Sequence, residues 1–220
     1  MLDGDGLDGD AFGDSWARFC ALERTAGPSV GAIDDWRRGR ERYAVWALRL
    51  RAPAVVTRMA AVAERLGASI VRVRPDDAHV TAWVCGFPAA IATFDDDVTD
   101  GILAAQRAAV AGRAAPRLLI GAPNAFATCA FLEVHDPHGD LAALRSALAV
   151  PGAKEVRFAR YQPHVTVGRF DASGPAAPIA RAIGALRADV GAPHPVGDGR
   201  LELIELDARA PDRLTTVWPR

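Results

Sequence analysis

The tripeptide His-Val-Thr occurs twice, as His79-Val80-Thr81 and as His164-Val165-Thr166, and so takes up two of the five histidines in a chain of 220 residues. Side chains alternate across a strand, so in an extended chain each His shares a face with its Thr, while Val80 and Val165 point the other way, toward a core. Two such strands side by side offer two imidazoles and two hydroxyls to one ligand. Imidazole titrates near pH 6.5, so a neutral and a protonated ring can coexist near neutrality and serve as base and acid without a metal. A single H-x-T carries little. Two identical copies, each entering a β-like run, form a moderately specific signal.

Other candidate chemistry is weaker. His135-Asp136-Pro137-His138-Gly139-Asp140 offers two His and two Asp within six residues, a spacing compatible with a metal site. The same stretch reads as a turn between a strand and a helix, with Asp140 near the N-cap, and the turn is the expected use. Asp3, Asp5, Asp8 and Asp10 suggest a calcium loop until the EF-hand positions are counted from Asp3. Leu7 then falls on a ligand position and Asp8 where glycine is required. Gly13-Asp14-Ser15-Trp16-Ala17 only grazes the nucleophile elbow and follows no strand. Of the 26 Lys and Arg, Lys154 is the single lysine. It lies in neither a P-loop nor a nucleotidyl-lysine motif, which disfavours ATP-driven mechanisms of those two kinds.

Half of the residues are hydrophobic, enough for one large domain or two intimately packed lobes that fold without staples. Cys20, Cys85 and Cys129, odd in number and without CxxC spacing, argue against a disulfide framework and fit a reducing compartment. The acidic, Gly-rich N-terminus is unlike a signal peptide, and no apolar run approaches the ~18 residues of a membrane span. A cytoplasmic protein without membrane contact or an obligate protein partner is expected. Residues 1–41 carry nine acidic and five basic residues, which leaves the remainder at +3 within a net charge of −1. So mild a balance does not specify a nucleic-acid coat, but it suits a small phosphate-bearing ligand.

The chain begins with an N-terminal extension, residues 1–41, that packs on a main body at 42–220. Within it, 1–13 reads as a flexible tail. A helix comes next over 15–25, with Asp14 as N-cap, a stripe of Trp16, Phe19, Cys20 and Leu22, and a stop at Gly27-Pro28. A second short helix is expected over 34–40. In the body, Tyr43–Leu50 reads as a buried strand, Pro53 opens a helix that Gly67 ends, and 69–74 alternates as a half-exposed strand. The first motif strand, 79–85, runs into a turn-like Gly86-Phe87-Pro88. Thr99 caps a helix over 100–111. Strands 117–121 and 128–134 pair around Ala122-Pro123-Asn124-Ala125, helices cover 140–148 and 178–186, the second motif strand covers 163–170, and strands 201–207 and 214–218 close the chain. The motif histidines lie 85 residues apart, nearly half of the body. An α+β fold of two similar lobes, each contributing one motif strand, is the simplest architecture.

The paired motifs, the opening Tyr43-Ala44-Val45-Trp46-Ala47-Leu48, Gly86-Phe87-Pro88, Phe131-Leu132-Glu133-Val134 and the block Tyr161-Gln162-Pro163-His164-Val165-Thr166-Val167-Gly168-Arg169 resemble the 2H phosphoesterase superfamily, in particular its bacterial 2′-5′ RNA ligase and cyclic phosphodiesterase type, over about 42–218. The resemblance implies a bilobal, pseudo-twofold fold with antiparallel sheets lining a central cleft and helices outside. It implies His79 and His164 as the catalytic pair, with Thr81 and Thr166 on the phosphoryl oxygens and no metal or other cofactor. Ala82 departs from the Leu often found there, a matter of packing. The activity implied is opening of a 2′,3′-cyclic phosphate on a nucleotide or RNA end, with reversible 2′-5′ RNA ligation beside it; the alternative is a non-catalytic nucleotide-binding cleft. For base or ribose, Trp83, on the face of His79 and Thr81, and Tyr161, just before the second motif, are candidates, with wall packing as the competing role. Arg169 is a candidate for phosphoryl charge, although strict alternation aims it away from the cleft.

Overall fold

The computed structural model describes residues 11–27, 30–156, 160–189, 191–208 and 214–219. The acidic pattern Asp3 to Asp10 and Pro28 lie outside the described residues. The extension supplies α1 (Ala11–Cys20) and α2 (Val30–Arg37). Apolar, strand-forming runs broken by Pro and Gly then set the order of the body. Its first half holds β1 (Arg42–Arg49), α3 (Pro53–Leu66), β2 (Ile70–Arg72), β3 (His79–Ala89), β4 (Asp97–Thr99) and α4 (Asp100–Val110). The second holds β5 (Leu118–Ala125), β6 (Cys129–His135), α5 (Asp140–Leu148), β7 (His164–Phe170) and α6 (Ala176–Ala188), then β8 (His194–Val196), β9 (Arg200–Asp207) and β10 (Leu214–Trp218).

The strands form one path, β10-β9-β1-β3-β7-β6-β5-β8, with β2 on β7 and β4 on β3. Two antiparallel halves thus meet through the two motif strands, and β3 and β7 are paired only at Val80 and Val165. On either side of that pair the strands diverge, and each gap is filled from the other half. β2 pairs with Gly168–Phe170 of β7 and the Val73 amide donates to the Val167 carbonyl, while the Val156 amide donates to the Val84 carbonyl of β3. The helices cross over in the same sense: α3 packs on β7 and α6, and α5 packs on β3 and α4.

The helix-covered face carries the main core. Trp46, Leu48, Val80, Leu132, Val165 and Phe170 are all fully buried there. The Trp46 indole N–H donates to Gln106 Oε1 at 2.9 Å, and Gln106 Nε2 donates to the Leu148 carbonyl at 2.8 Å. A smaller cluster, Tyr43, Val45, Ala47, Val84 and Phe87, lies on the opposite face and is covered by Trp36 of α2.

Four elements differ from expectation for identifiable reasons. β3 does not stop at Gly86: a positive φ of 103° lets the strand pass under the Asp96 carbonyl, where a Cβ would collide, and Phe87–Ala89 pair in parallel with β4. Pro123 and Asn124 are not a turn but strand residues opposite Leu132 and Phe131. β8 covers only Leu118–Ile120 of β5, so beyond that point the strand is an edge and a proline there removes no ladder bond. α1 spans Ala11–Cys20, earlier than expected, so Asp14 lies in its first turn rather than at its cap. α2 spans Val30–Arg37, and Arg38 and Gly39, both with positive φ, turn the chain out of it.

A Cβ on Gly168 would sit 2.7 Å from Ile70 Cδ1 and 2.9 Å from the Val71 carbonyl. Gly168→Ala should therefore push β2 off β7 and lower stability by about 1–3 kcal/mol, read as a lower urea midpoint.

Candidate active site

The site is built on one residue pair. Val80 and Val165 are fully buried on the helix face, so the residues flanking them project from the other. Continuing the antiparallel register sets His79 beside Thr166 and Thr81 beside His164. The four motif side chains therefore share one face of the sheet, each His across from the other motif's Thr. All four are partly exposed. Among the described residues neither hydroxyl has an intramolecular hydrogen-bond partner.

Immediately after each Thr the motif strand carries a bulge. Against β1, Thr81 lies opposite Ala47 and Trp83 opposite Trp46, which leaves Ala82 as the extra residue. Against β6, Thr166 lies opposite Phe131 and Gly168 opposite Ala130, which leaves Val167 as the extra residue. A bulge resets the alternation of every side chain beyond it, and this corrects two expectations. Trp83 does not share the face of Thr81: it turns to the helix side with Trp46, 8% exposed, under Arg145. Arg169, opposite Cys129 of β6, is returned to the face of His164 and Thr166. Tyr161 is also not at the mouth. Its hydroxyl donates to the Thr81 carbonyl at 2.7 Å and its ring lies 3.6 Å below the Arg145 guanidinium. It ties the entry of the second motif to the strand of the first.

Both imidazoles are held in the same way. His79 Nδ1 lies 2.7 Å from the Asp77 carbonyl and His164 Nδ1 lies 2.8 Å from the Gln162 carbonyl. A carbonyl only accepts, so Nδ1 carries the proton in each neutral ring and the Nε2 lone pair is left for chemistry. Enclosure by protein lowers both ring pKa values below 6.5; the carbonyl bonds oppose the shift, and the Arg49 charge adds to it at His79 as the His79 charge does at His164.

The surroundings of the two rings differ. Arg49 stands opposite His79 and pairs with Asp77 Oδ1 at 3.1 Å, while Glu133 stands opposite His164 and is engaged by Arg187 and Asn124. The His164 ring lies 5.2 Å from both Phe126 and Phe131. Arg49, Phe126 and Phe131 escape a reading of the motifs alone. Asp77 and Gln162 do have a signal, since both sit two residues before a motif His. The two buried thiols offer no alternative nucleophile: burial raises both Cys85 and Cys129, the latter to about 11. The stretch His135 to Asp140 works as a turn. Asp136 Oδ2 accepts the Ala142 amide at 2.9 Å and Asp140 pairs with Arg117 at 2.8 Å. A cavity of about 290 Å³ beside Trp83, Phe94, Gln106 and Lys154 contains neither motif.

Fold and site together define a phosphoesterase of the two-histidine type. The profile of the 2′-5′ RNA ligase superfamily matches residues 49–208, and the chain belongs to that family. Its fold is shared with a conserved protein of unknown function from Agrobacterium tumefaciens, at 11% identity and a TM-score of 0.53 over 81% of this chain and 85% of that one. It is shared equally with Escherichia coli LigT complexed with 3′-AMP, at 18% identity and a TM-score of 0.50 over 80% and 95%. Comparison with curated proteins finds no match. Among the described residues no helix is long and apolar enough to cross a membrane.

Both ring pKa values are lowered from 6.5, so an acid–base pair made of His79 and His164 should give a kcat/KM profile, which reports the free enzyme, with both limbs on the acid side of ordinary imidazole. The same sign governs stability. Neutral rings favour the fold above pH 6.5, and that contribution is lost as the pH falls below it. A kcat/KM optimum above neutrality would contradict this.

Proposed function

We propose that the cleft opens 2′,3′-cyclic phosphodiesters, on nucleotides or RNA ends, to 2′-phosphomonoesters by metal-independent acid–base catalysis. The observation that carries the reading is the pair of Nδ1-anchored imidazoles on one face, each beside the other motif's threonine. The neutral ring takes a proton from water as the water oxygen attacks phosphorus. The P–O3′ bond breaks, and the 3′ oxygen leaves with the proton of the imidazolium. The ring that was the base ends protonated and the acid ends neutral. The same sequence with a 5′-hydroxyl in place of water as the attacking group forms the P–O5′ bond as P–O3′ breaks and accounts for 2′-5′ joining; its reverse, with the two rings exchanging roles, cleaves the 2′-5′ link. Thr81 and Thr166 donate to the non-bridging oxygens and Arg169 neutralises charge developing on them. Imidazole supplies both proton-transfer roles, so the scheme requires no cofactor. The partner is the nucleotide or RNA end itself, in keeping with the nucleotide complex of LigT.

The test is turnover of the four nucleoside 2′,3′-cyclic phosphates and of an RNA with a cyclic phosphate end, in excess chelator. His79→Ala and His164→Ala should each lower kcat by about 10²- to 10⁴-fold while remaining folded. Near-normal turnover by either variant overturns the mechanism, and binding without turnover by the wild-type protein makes the cleft a nucleotide-binding site instead. Arg169→Ala should lower kcat/KM by about 10- to 100-fold, the worth of one hydrogen bond to a charged group.

A further inference from the structure

The two histidine anchors are the same in the backbone and different in what holds them. On the first motif, Asp77 is clamped by charge: Arg49 Nη2 lies 3.1 Å from Oδ1 and Arg74 Nη2 lies 2.6 Å from Oδ2. On the second, Gln162 is neutral, and its amide is held from α1. Ser15 Oγ donates to Gln162 Oε1 at 2.8 Å, and Gln162 Nε2 donates to the Ala11 carbonyl at 3.2 Å. Ser15 is 5% exposed, so the hydroxyl side of this bond is withdrawn from water. The residue after Ala11 reaches the same site by a second route. The Phe12 carbonyl accepts from the fully buried Asn124, and its ring lies 6.3 Å from Phe131, one of the two rings packed on His164.

α1 is fixed to the body at its other end. Phe19 stacks on Phe170 at 6.0 Å, and beyond the helix the Thr25 amide donates to the Gly174 carbonyl at 2.8 Å and the Ala26 amide to Ala127 at 2.7 Å. All of these anchors in the extension precede residue 49, where the match to the family profile begins.

We propose that α1 is a positioning element of the active site: Ser15 and the Ala11 carbonyl hold Gln162 so that its main-chain carbonyl fixes the tautomer and orientation of His164. The proposal rests on the acid–base reading above for its kinetic consequence but not for its structural one. Without the Ser15 hydroxyl, Gln162 loses one of two side-chain anchors, its carbonyl is free to rotate, and His164 can exchange its Nδ1–H form for the Nε2–H form, which presents no lone pair to the cleft.

Two readouts on the full chain test this with Ser15→Ala, Ser15→Thr and, as a control at the exposed end of α1, Cys20→Ser. The first is nitrogen-15 NMR of the imidazoles at a pH where both are neutral. Ser15→Ala should shift His164 toward the Nε2–H tautomer and leave His79 unchanged, while Ser15→Thr and Cys20→Ser match the wild type. The second is turnover of a 2′,3′-cyclic nucleotide. Ser15→Ala should lower kcat by about tenfold or more, within the 10²-fold that a 1 Å misplacement can cost, with KM within about twofold, and Ser15→Thr should restore it. If folded Ser15→Ala keeps the wild-type His164 tautomer, or if Ser15→Thr fails to restore it, α1 does not position the ring. If the wild type turns over no cyclic phosphate, the proposed reaction fails, and the tautomer measurement still decides the positioning role.

Discussion

One backbone contact governs the molecule. β3 and β7 are bonded to each other only around Val80 and Val165, and both valines are buried without residual exposure. Burial of each is worth about 1.5–3 kcal/mol, and a slip of either strand by one residue would send its histidine into the core and its valine to water. The hydrophobic demand of two valines thereby sets the direction of the four motif side chains. The divergence of the strands on either side of the pair is equally consequential, because it opens space on the outer face while the segments that fill the gaps keep the backbone bonded.

Around this symmetric centre the electrostatics are asymmetric. An Arg stands opposite one histidine and a Glu opposite the other, and one anchor residue is braced by ion pairs while its counterpart is braced by a hydroxyl and a main-chain carbonyl. Identical tripeptides therefore sit in different fields, the general condition for dividing acid and base roles between like groups. The guanidinium of Arg49 penalises a second positive charge on His79.

Much of this was legible in the sequence where local periodicity governs and illegible where distant packing does. The duplicated motif, the inward valines and the strand from Tyr43 are consequences of alternation and apolar content. Alternation misled for Trp83 and Arg169 because one extra residue in each motif strand, Ala82 or Val167, reverses the face of every side chain beyond it. Nothing in the composition of either strand marks that insertion. Pro123 looked like a turn because its edge position depends on the shortness of β8, a fact about another segment. The contact between Ser15 and Gln162 spans 147 residues, which no local pattern encodes.

The crossed arrangement of β2, α3 and α5 has a further consequence. Each half of the body places a helix against the other half's motif strand, α3 on β7 and α5 on β3. A chain of half this length could satisfy those contacts only by exchanging elements with a second copy of itself, through an isologous, self-complementary interface. The internal twofold is thus the geometry of a swapped homodimer written into a single polypeptide, and the two His-Val-Thr motifs lie where the two subunits of such a dimer would meet.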